Sequence, residues 1–195
     1  MVAARRIGLT GGIASGKSSV GRLLAARGLP LLDADVYARD ALTPGSTGAG
    51  AVLERYGDGI RAHGGEINRA ALGQIVFGDN AERRWLEQLL HPIVRACFDA
   101  KLQALAAEPV VVLVVPLLFE AGLETLCSEV WLVDCNETQQ LQRLMARDGL
   151  GEADARARIA AQWPLARKRQ LADVVLNNRG GPDQLAAQVE QALSR

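Results

Sequence analysis

The chain has 195 residues, 49% hydrophobic and 23% charged, with 22 basic side chains balanced by 22 acidic ones. A neutral chain has no global field for nucleic acid or an anionic membrane, and this length suits one α/β domain with an insertion. Cys97, Cys127 and Cys135 lack metal-ligand spacing and are odd in number, so they read as reduced, buried thiols, and His63 and His91 are too few for a histidine-rich metal site.

The opening Met-Val-Ala-Ala-Arg-Arg carries no secretory apolar region and runs into a strand over residues 5–10, so the expected location is the cytoplasm. Gly11-Gly12-Ile13-Ala14-Ser15-Gly16-Lys17-Ser18 then matches the pattern G-x-x-x-x-G-K-[ST]. Its glycines let successive N–H groups turn inward at phosphate oxygens. Lys17 brings a compact charge to the β- and γ-phosphates, and the Ser18 hydroxyl is an oxygen ligand for Mg²⁺. An amphipathic helix over residues 17–27 places its positive end at the same anion. The loop predicts a bound triphosphate and leaves open what is done with it.

A second strand over residues 29–32 ends at Asp33-Ala34-Asp35. Ligands of doubly wound sheets sit beyond the carboxyl ends of strands, which makes Asp33 a candidate base on the strand taken to neighbour the phosphate loop's own. Asp35 either assists it or caps a helix from Val36. Strand signals then lapse. Pro44-Gly45-Ser46-Thr47-Gly48, Gly57-Asp58-Gly59 and His63-Gly64-Gly65 read as breakers or turns around helical patterns at 49–55, 69–77, 81–90 and 92–106. Residues 43–108 are thus expected to form a helical insertion, with Trp85, Leu89 and Leu90 in its core.

Strands resume at 110–115, 130–135 and 174–176, which predicts a doubly wound, five-stranded parallel sheet. The most apolar stretch, 110–119, is interrupted by Pro116 and is far shorter than a membrane span. Asn136 reads as an N-cap with Gln139 in capping-box position. On the helix that follows, Arg143 and Arg147 are four apart and share a face. Residues 143–169 hold seven Lys/Arg against three acids, either a solvated face or an arginine-bearing lid. Phosphoryl transfer relies on positioning and on neutralising spread charge, so Lys17, Mg²⁺, Arg143 and Arg147 suit a lid, with Asp33 orienting an acceptor hydroxyl.

Taken together, the phosphate loop, Asp33-Ala34-Asp35, His91-Pro92, Pro116-Leu117-Leu118-Phe119-Glu120, Arg143, Arg147-Asp148 and Gln162 resemble the dephospho-CoA kinases over essentially the whole chain. The resemblance implies an α/β P-loop NTPase fold. Its core would be residues 1–42, 109–142 and 170–195, with a helical acceptor-binding insertion at 43–108 and a helical lid at 143–169. It implies transfer of the ATP γ-phosphate to the ribose 3′-hydroxyl of dephospho-CoA, the last step of coenzyme A synthesis, with Asp33 as base and with no nucleic acid or membrane partner. Arg143 and Arg147 would lie near the ATP phosphates. ATP would contact Gly12, Ile13, Ala14, Ser15, Gly16, Lys17, Ser18 and Ser19, with Asn178 and Gly180 near the adenine. Asp33, Asp35, Arg69, His91, Pro116, Leu117, Leu118 and Phe119 would bind the acceptor.

Two positions depart from the family's pattern. Val114 stands where many members have Asp, which removes an orienting group for metal-bound water. Ala14 stands where Gly is common, and is expected to hold φ below zero. Other small-molecule or nucleoside monophosphate kinases, and a non-catalytic nucleotide-binding module, are the alternative readings. A guanine-specific switch is disfavoured because no Asn-Lys-x-Asp signature is present.

Overall fold

The computed structural model describes residues 4–62 and 64–195, so His63 and the first three residues, on which the leader reading rested, lie outside the described residues. In chain order the elements are β1 (Arg5–Gly11), α1 (Lys17–Ala25), β2 (Leu31–Asp33), α2 (Ala34–Asp40), α3 (Thr47–Tyr56), α4 (Arg69–Gly78) and α5 (Asn80–Ala104). They continue with β3 (Val110–Val114), β4 (Glu129–Asp134), α6 (Glu137–Asp148), α7 (Glu152–Ala160), α8 (Leu165–Leu171), β5 (Val174–Asn177) and α9 (Pro182–Leu193). The chain packs as two compact units, one made of residues through Asp33 and from Leu105 on, the other Ala34–Ala104.

The first unit is built on the expected five-stranded sheet, ordered β2-β3-β1-β4-β5, and every neighbouring pair is parallel. Such strands are buried on both faces. On one face Ile7, Leu9, Val112, Trp131 and Val133 pack with Val20 and Leu24 of α1 and Leu185 and Val189 of α9. On the other, Leu132 and Cys135 pack with Leu165 of α8. The strand order corrects one expectation: β3, not β2, lies beside β1. Val114 pairs in register with both Leu9 and Asp33. Asp33 is therefore two strand spacings, about 10 Å, from the strand that carries the phosphate loop.

The second unit is helical. Ser46 caps α3 by accepting the Ala49 N–H at 3.1 Å, and Asn68 caps α4 by accepting the Ala71 N–H at 3.1 Å. Leu42, Ala49, Val52, Ile60, Ile67 and Leu72 form its core, with Trp85, Leu86, Leu89 and Leu90 half-buried against them. A polar clamp joins α3 to α5. Both Arg55 Nε and Nη2 donate to Glu82 at 2.7 Å, the Tyr56 hydroxyl donates to the same carboxylate, and the Arg55 guanidinium lies 4.5 Å from the Trp85 ring centre.

Two expectations about this unit change. The patterns at 81–90 and 92–106 form one helix, α5, with Pro92 inside it. A proline there removes a hydrogen bond and costs roughly 3 kcal/mol. The stripe Leu90, Val94, Phe98 and Leu102, spaced by four and buried or half-buried, offsets that at about 1.5–3 kcal/mol per fully buried side chain. His91 is accordingly mid-helix rather than at a helix end. Asp35 lies within the first turn of α2 and is not its N-cap. Of the cysteines, all free, only Cys135 is buried; Cys97 and Cys127 are half-buried. Among the described residues no helix is long and apolar enough to cross a membrane.

Candidate functional site

β1 delivers the chain to a β-turn over Gly12, Ile13, Ala14 and Ser15, closed by the Ser15 N–H on the Gly12 carbonyl at 3.1 Å. Ala14 is at the third position of that turn, where a type II turn demands positive φ, and it holds φ 57°. The expectation of φ below zero is thus overturned: turn closure outweighs the residue's own preference. Such strain persists only where neighbours over-determine it. The two peptide groups flanking Ile13 supply that constraint, since the Ile13 N–H donates to Gln162 Oε1 at 2.8 Å and the Ile13 carbonyl accepts from Gln140 Nε2 at 2.9 Å.

Gly16, at φ 105°, is the N-cap of α1, and among the described residues no side chain caps the helix's first N–H groups. A Cβ at Gly16 would collide with the Asn178 amide, which itself donates to the Ser15 carbonyl at 2.8 Å. At Gly12 a Cβ would lie 2.5 Å from Gln140 Nε2. Gly16 is required by its left-handed backbone and by its close approach to Asn178, whereas a side chain at Gly12 would have to displace the Gln140 amide. The Lys17 ammonium lies over the loop, bonded to the Gly11 and Gly12 carbonyls at 3.0 and 3.3 Å. Ser15 is fully buried and its Oγ has no hydrogen-bond partner among the described residues. A helix end, an ammonium and a spare buried hydroxyl together make an anion cradle.

Beside the loop opens a cleft of about 620 Å³ whose walls include Gly16, Leu23, Arg143, Asn178, Gly180 and Leu185. Arg143 donates from Nη2 to the Asn178 carbonyl at 3.1 Å, and its buried Nη1 has no hydrogen-bond partner among the described residues. A cation with a spare donor on an apolar-walled cleft suits a nucleotide. Asn178 is held in turn through Asp134, whose carbonyl accepts the Asn178 N–H at 2.7 Å and whose carboxylate pairs with Arg179 and Arg169.

The rest of the basic run is mostly committed elsewhere. Arg147 is exposed and pairs with Asp148 at 2.7 Å, a contact that raises its pKa and lowers that of Asp148. Arg158 joins the same carboxylate, and Arg156 pairs with Glu152. Lys168, which belonged to the charge run in sequence, is wholly buried against Glu120 at 2.8 Å. The structure therefore brings Arg143 to the phosphate loop and leaves Arg147 away from the cleft walls.

Asp33 ends β2 at the sheet's carboxyl edge. Beyond β3, the Pro116 carbonyl accepts the Thr10 hydroxyl at 3.1 Å; Pro116 and Leu117 are half-buried, whereas Leu118 and Phe119 are core residues at 0% and 8% exposure. In the helical unit a separate cavity of about 530 Å³ is lined by Asp35, Arg39, Arg69, Leu72, Val76 and Leu86 among others, and His91 is outside that lining. Gln140 is a site residue that sequence reasoning missed, and Gln162 entered it only as part of the family resemblance, with no role assigned. A buried glutamine on the apolar face of α6 was the available signal for Gln140.

No group of three or more His, Cys, Asp or Glu side chains able to hold a metal exists among the described residues. Mg²⁺ brought in with phosphate takes one or two protein oxygens and completes its shell with phosphate and water. Ser18, exposed on the first turn of α1, presents such an oxygen.

A phosphate-binding turn leading into a helix, on a parallel sheet with the order β2-β3-β1-β4-β5, defines a P-loop kinase fold. The family model for dephospho-CoA kinase matches residues 5–184. The chain is 64% identical to the dephospho-CoA kinase of Synechococcus sp. (strain CC9605), over 97% of its own length and 92% of that protein's. A crystal structure of TT1252 from Thermus thermophilus matches with TM-score 0.82 and 36% identity over 98% of this chain and 97% of that one. Dephospho-CoA kinase from Campylobacter jejuni matches with TM-score 0.73 and 26% identity over 97% and 95%. The chain belongs to the dephospho-CoA kinase family.

Proposed function

We propose that this chain transfers the γ-phosphoryl group of ATP to the ribose 3′-hydroxyl of dephospho-CoA, in the cytoplasm, with Asp33 accepting the hydroxyl proton. The single observation that carries the reading is the shared carboxyl edge of one sheet. The phosphate loop follows β1, Asp33 ends β2 and the Pro116 loop follows β3, so donor cradle, base and acceptor wall leave the sheet on the same side.

In this reading Gly12, Ile13, Ala14, Ser15, Gly16 and Ser19 surround the phosphates, and Lys17 and Arg143 neutralise charge as it spreads over the equatorial oxygens. Ser18 and the phosphates would hold Mg²⁺, which would add further positive charge there. Arg147 reaches the phosphates only by exchanging its partner Asp148. Asn178 and Gly180 flank the adenine. The acceptor is held by Asp33, Pro116 and Leu117, with Leu118 and Phe119 supporting that loop from the core, and Asp35, Arg69 and His91 keep the acceptor-binding role that the family resemblance implies. A well-placed electrostatic donor of the Lys17 kind is worth about 2.7–4 kcal/mol of transition-state stabilisation.

The test is ATP consumption against dephospho-CoA, adenosine, nucleoside monophosphates and shikimate. The reading expects kcat/KM highest for dephospho-CoA; a higher value for any other acceptor overturns the assignment.

A further inference from the structure

Residues 162–168 carry no part in the reaction as described, yet they bond both loops the reaction uses. Gln162, just past α7, accepts the Ile13 N–H at 2.8 Å. The next residue, Trp163, donates its backbone N–H to Glu120 Oε1 at 3.0 Å. Lys168 of α8 reaches that same oxygen with Nζ at 2.8 Å and the Pro116 carbonyl at 3.3 Å. The Thr10 hydroxyl, at the end of β1, meets this carbonyl too.

A buried ammonium is stable only where a counter-charge and acceptors surround it, so burial of Lys168 fixes the positions of Glu120 and of the Pro116 carbonyl. Likewise the left-handed Ala14 is held because both peptide groups flanking Ile13 are bonded, one of them by Gln162. One short stretch of chain therefore constrains the strained turn of the donor loop and the end of the acceptor loop together.

We propose that the stretch from Gln162 to Lys168 is a strut that sets the phosphate loop against the Pro116–Glu120 loop, with Gln162 and Glu120 as positioning residues for phosphoryl transfer. The part played by Glu120 rests on the reading of its loop as an acceptor wall. A displacement of about 1 Å between reacting groups costs on the order of 10²-fold in rate, so a strut acts on turnover and not only on melting temperature.

Steady-state kinetics of the full chain with ATP and dephospho-CoA test this for Gln162→Leu, Glu120→Gln and the double variant. Gln162→Leu removes the acceptor of the Ile13 N–H; it should lower kcat about tenfold or more and raise KM for ATP, with KM for dephospho-CoA unchanged. Glu120→Gln should raise KM for dephospho-CoA and leave KM for ATP alone. The double variant should lose less kcat/KM than the product of the two single losses, because both act through one element. Wild-type kcat and KM for Gln162→Leu, or single effects that simply multiply, overturn the strut while leaving the acceptor wall standing. The expected Gln162→Leu defect with an unchanged dephospho-CoA KM for Glu120→Gln overturns the acceptor-wall reading and the link with it. Should Glu120→Gln melt below the assay temperature, Glu120→Gln combined with Lys168→Gln, which leaves no buried charge, takes its place in the cycle.

Discussion

Ala14→Gly should make the chain more stable, although it deletes a methyl group and adds backbone freedom. Ala14 holds φ 57° in the phosphate loop, and an L residue in that region costs roughly 1–2 kcal/mol that glycine does not incur. Against this, glycine adds conformational entropy to the unfolded chain, worth about 0.4–1 kcal/mol. The balance is a gain of about 0.8 kcal/mol, which for a chain of this size raises Tm by about 2–3 °C. Differential scanning calorimetry of both proteins in the same buffer reads it directly. A Tm lowered by about 2 °C or more would refute the reasoning, because glycine then costs only its entropy and Ala14 must hold an ordinary φ.

Two further predictions concern titrating groups. Glu82 is held down to a pKa of about 2, chiefly by the Arg55 hydrogen bonds and then by Tyr56. Its stabilisation is therefore complete above the ordinary carboxylate range and is lost as pH falls toward 2. Denaturant melts between pH 6 and 2.5 should show a steeper acid loss for the natural chain than for Glu82→Gln, and equal slopes would remove Glu82 from the account. Burial, reinforced by Glu124, pushes the Cys127 thiol up to about 12. Since the thiolate is the nucleophile, iodoacetamide at pH 8 should spare Cys127 in the native chain and label it in urea, as read by peptide mass spectrometry. Equal labelling in both states contradicts the assignment.

The donor half of the site was legible because a phosphate loop is a local motif whose spacing carries its mechanism. Its support was not. Gln140 and Gln162 lie far from Ile13 in sequence, and only the fold brings their amides to that peptide. Ala14 misled because composition gives a residue's preference, whereas the turn that closes Gly12 to Ser15 sets the φ. For Lys168 the charge run allowed a solvated face or a lid, and its burial shows only once Glu120, from another loop, is seen beside it. The neighbour of β1 was misassigned because chain order does not specify lateral order in a parallel sheet, and β3 inserts between β1 and β2. Pro92 broke a pattern that α5 carries through, since the four-residue stripe on either side buries enough apolar surface to keep one axis. The five strands were all found.

The most direct test of the proposed reaction is Asp33→Asn, which keeps the side chain's shape at the end of β2 and removes its capacity as a base. Calorimetric ATP affinity should stay within about twofold of the natural chain's, while kcat for dephospho-CoA phosphorylation falls by about 10²–10⁴-fold, the range for loss of a general base. Unchanged affinity with unchanged kcat would contradict the account, because the acceptor hydroxyl would then give up its proton without Asp33.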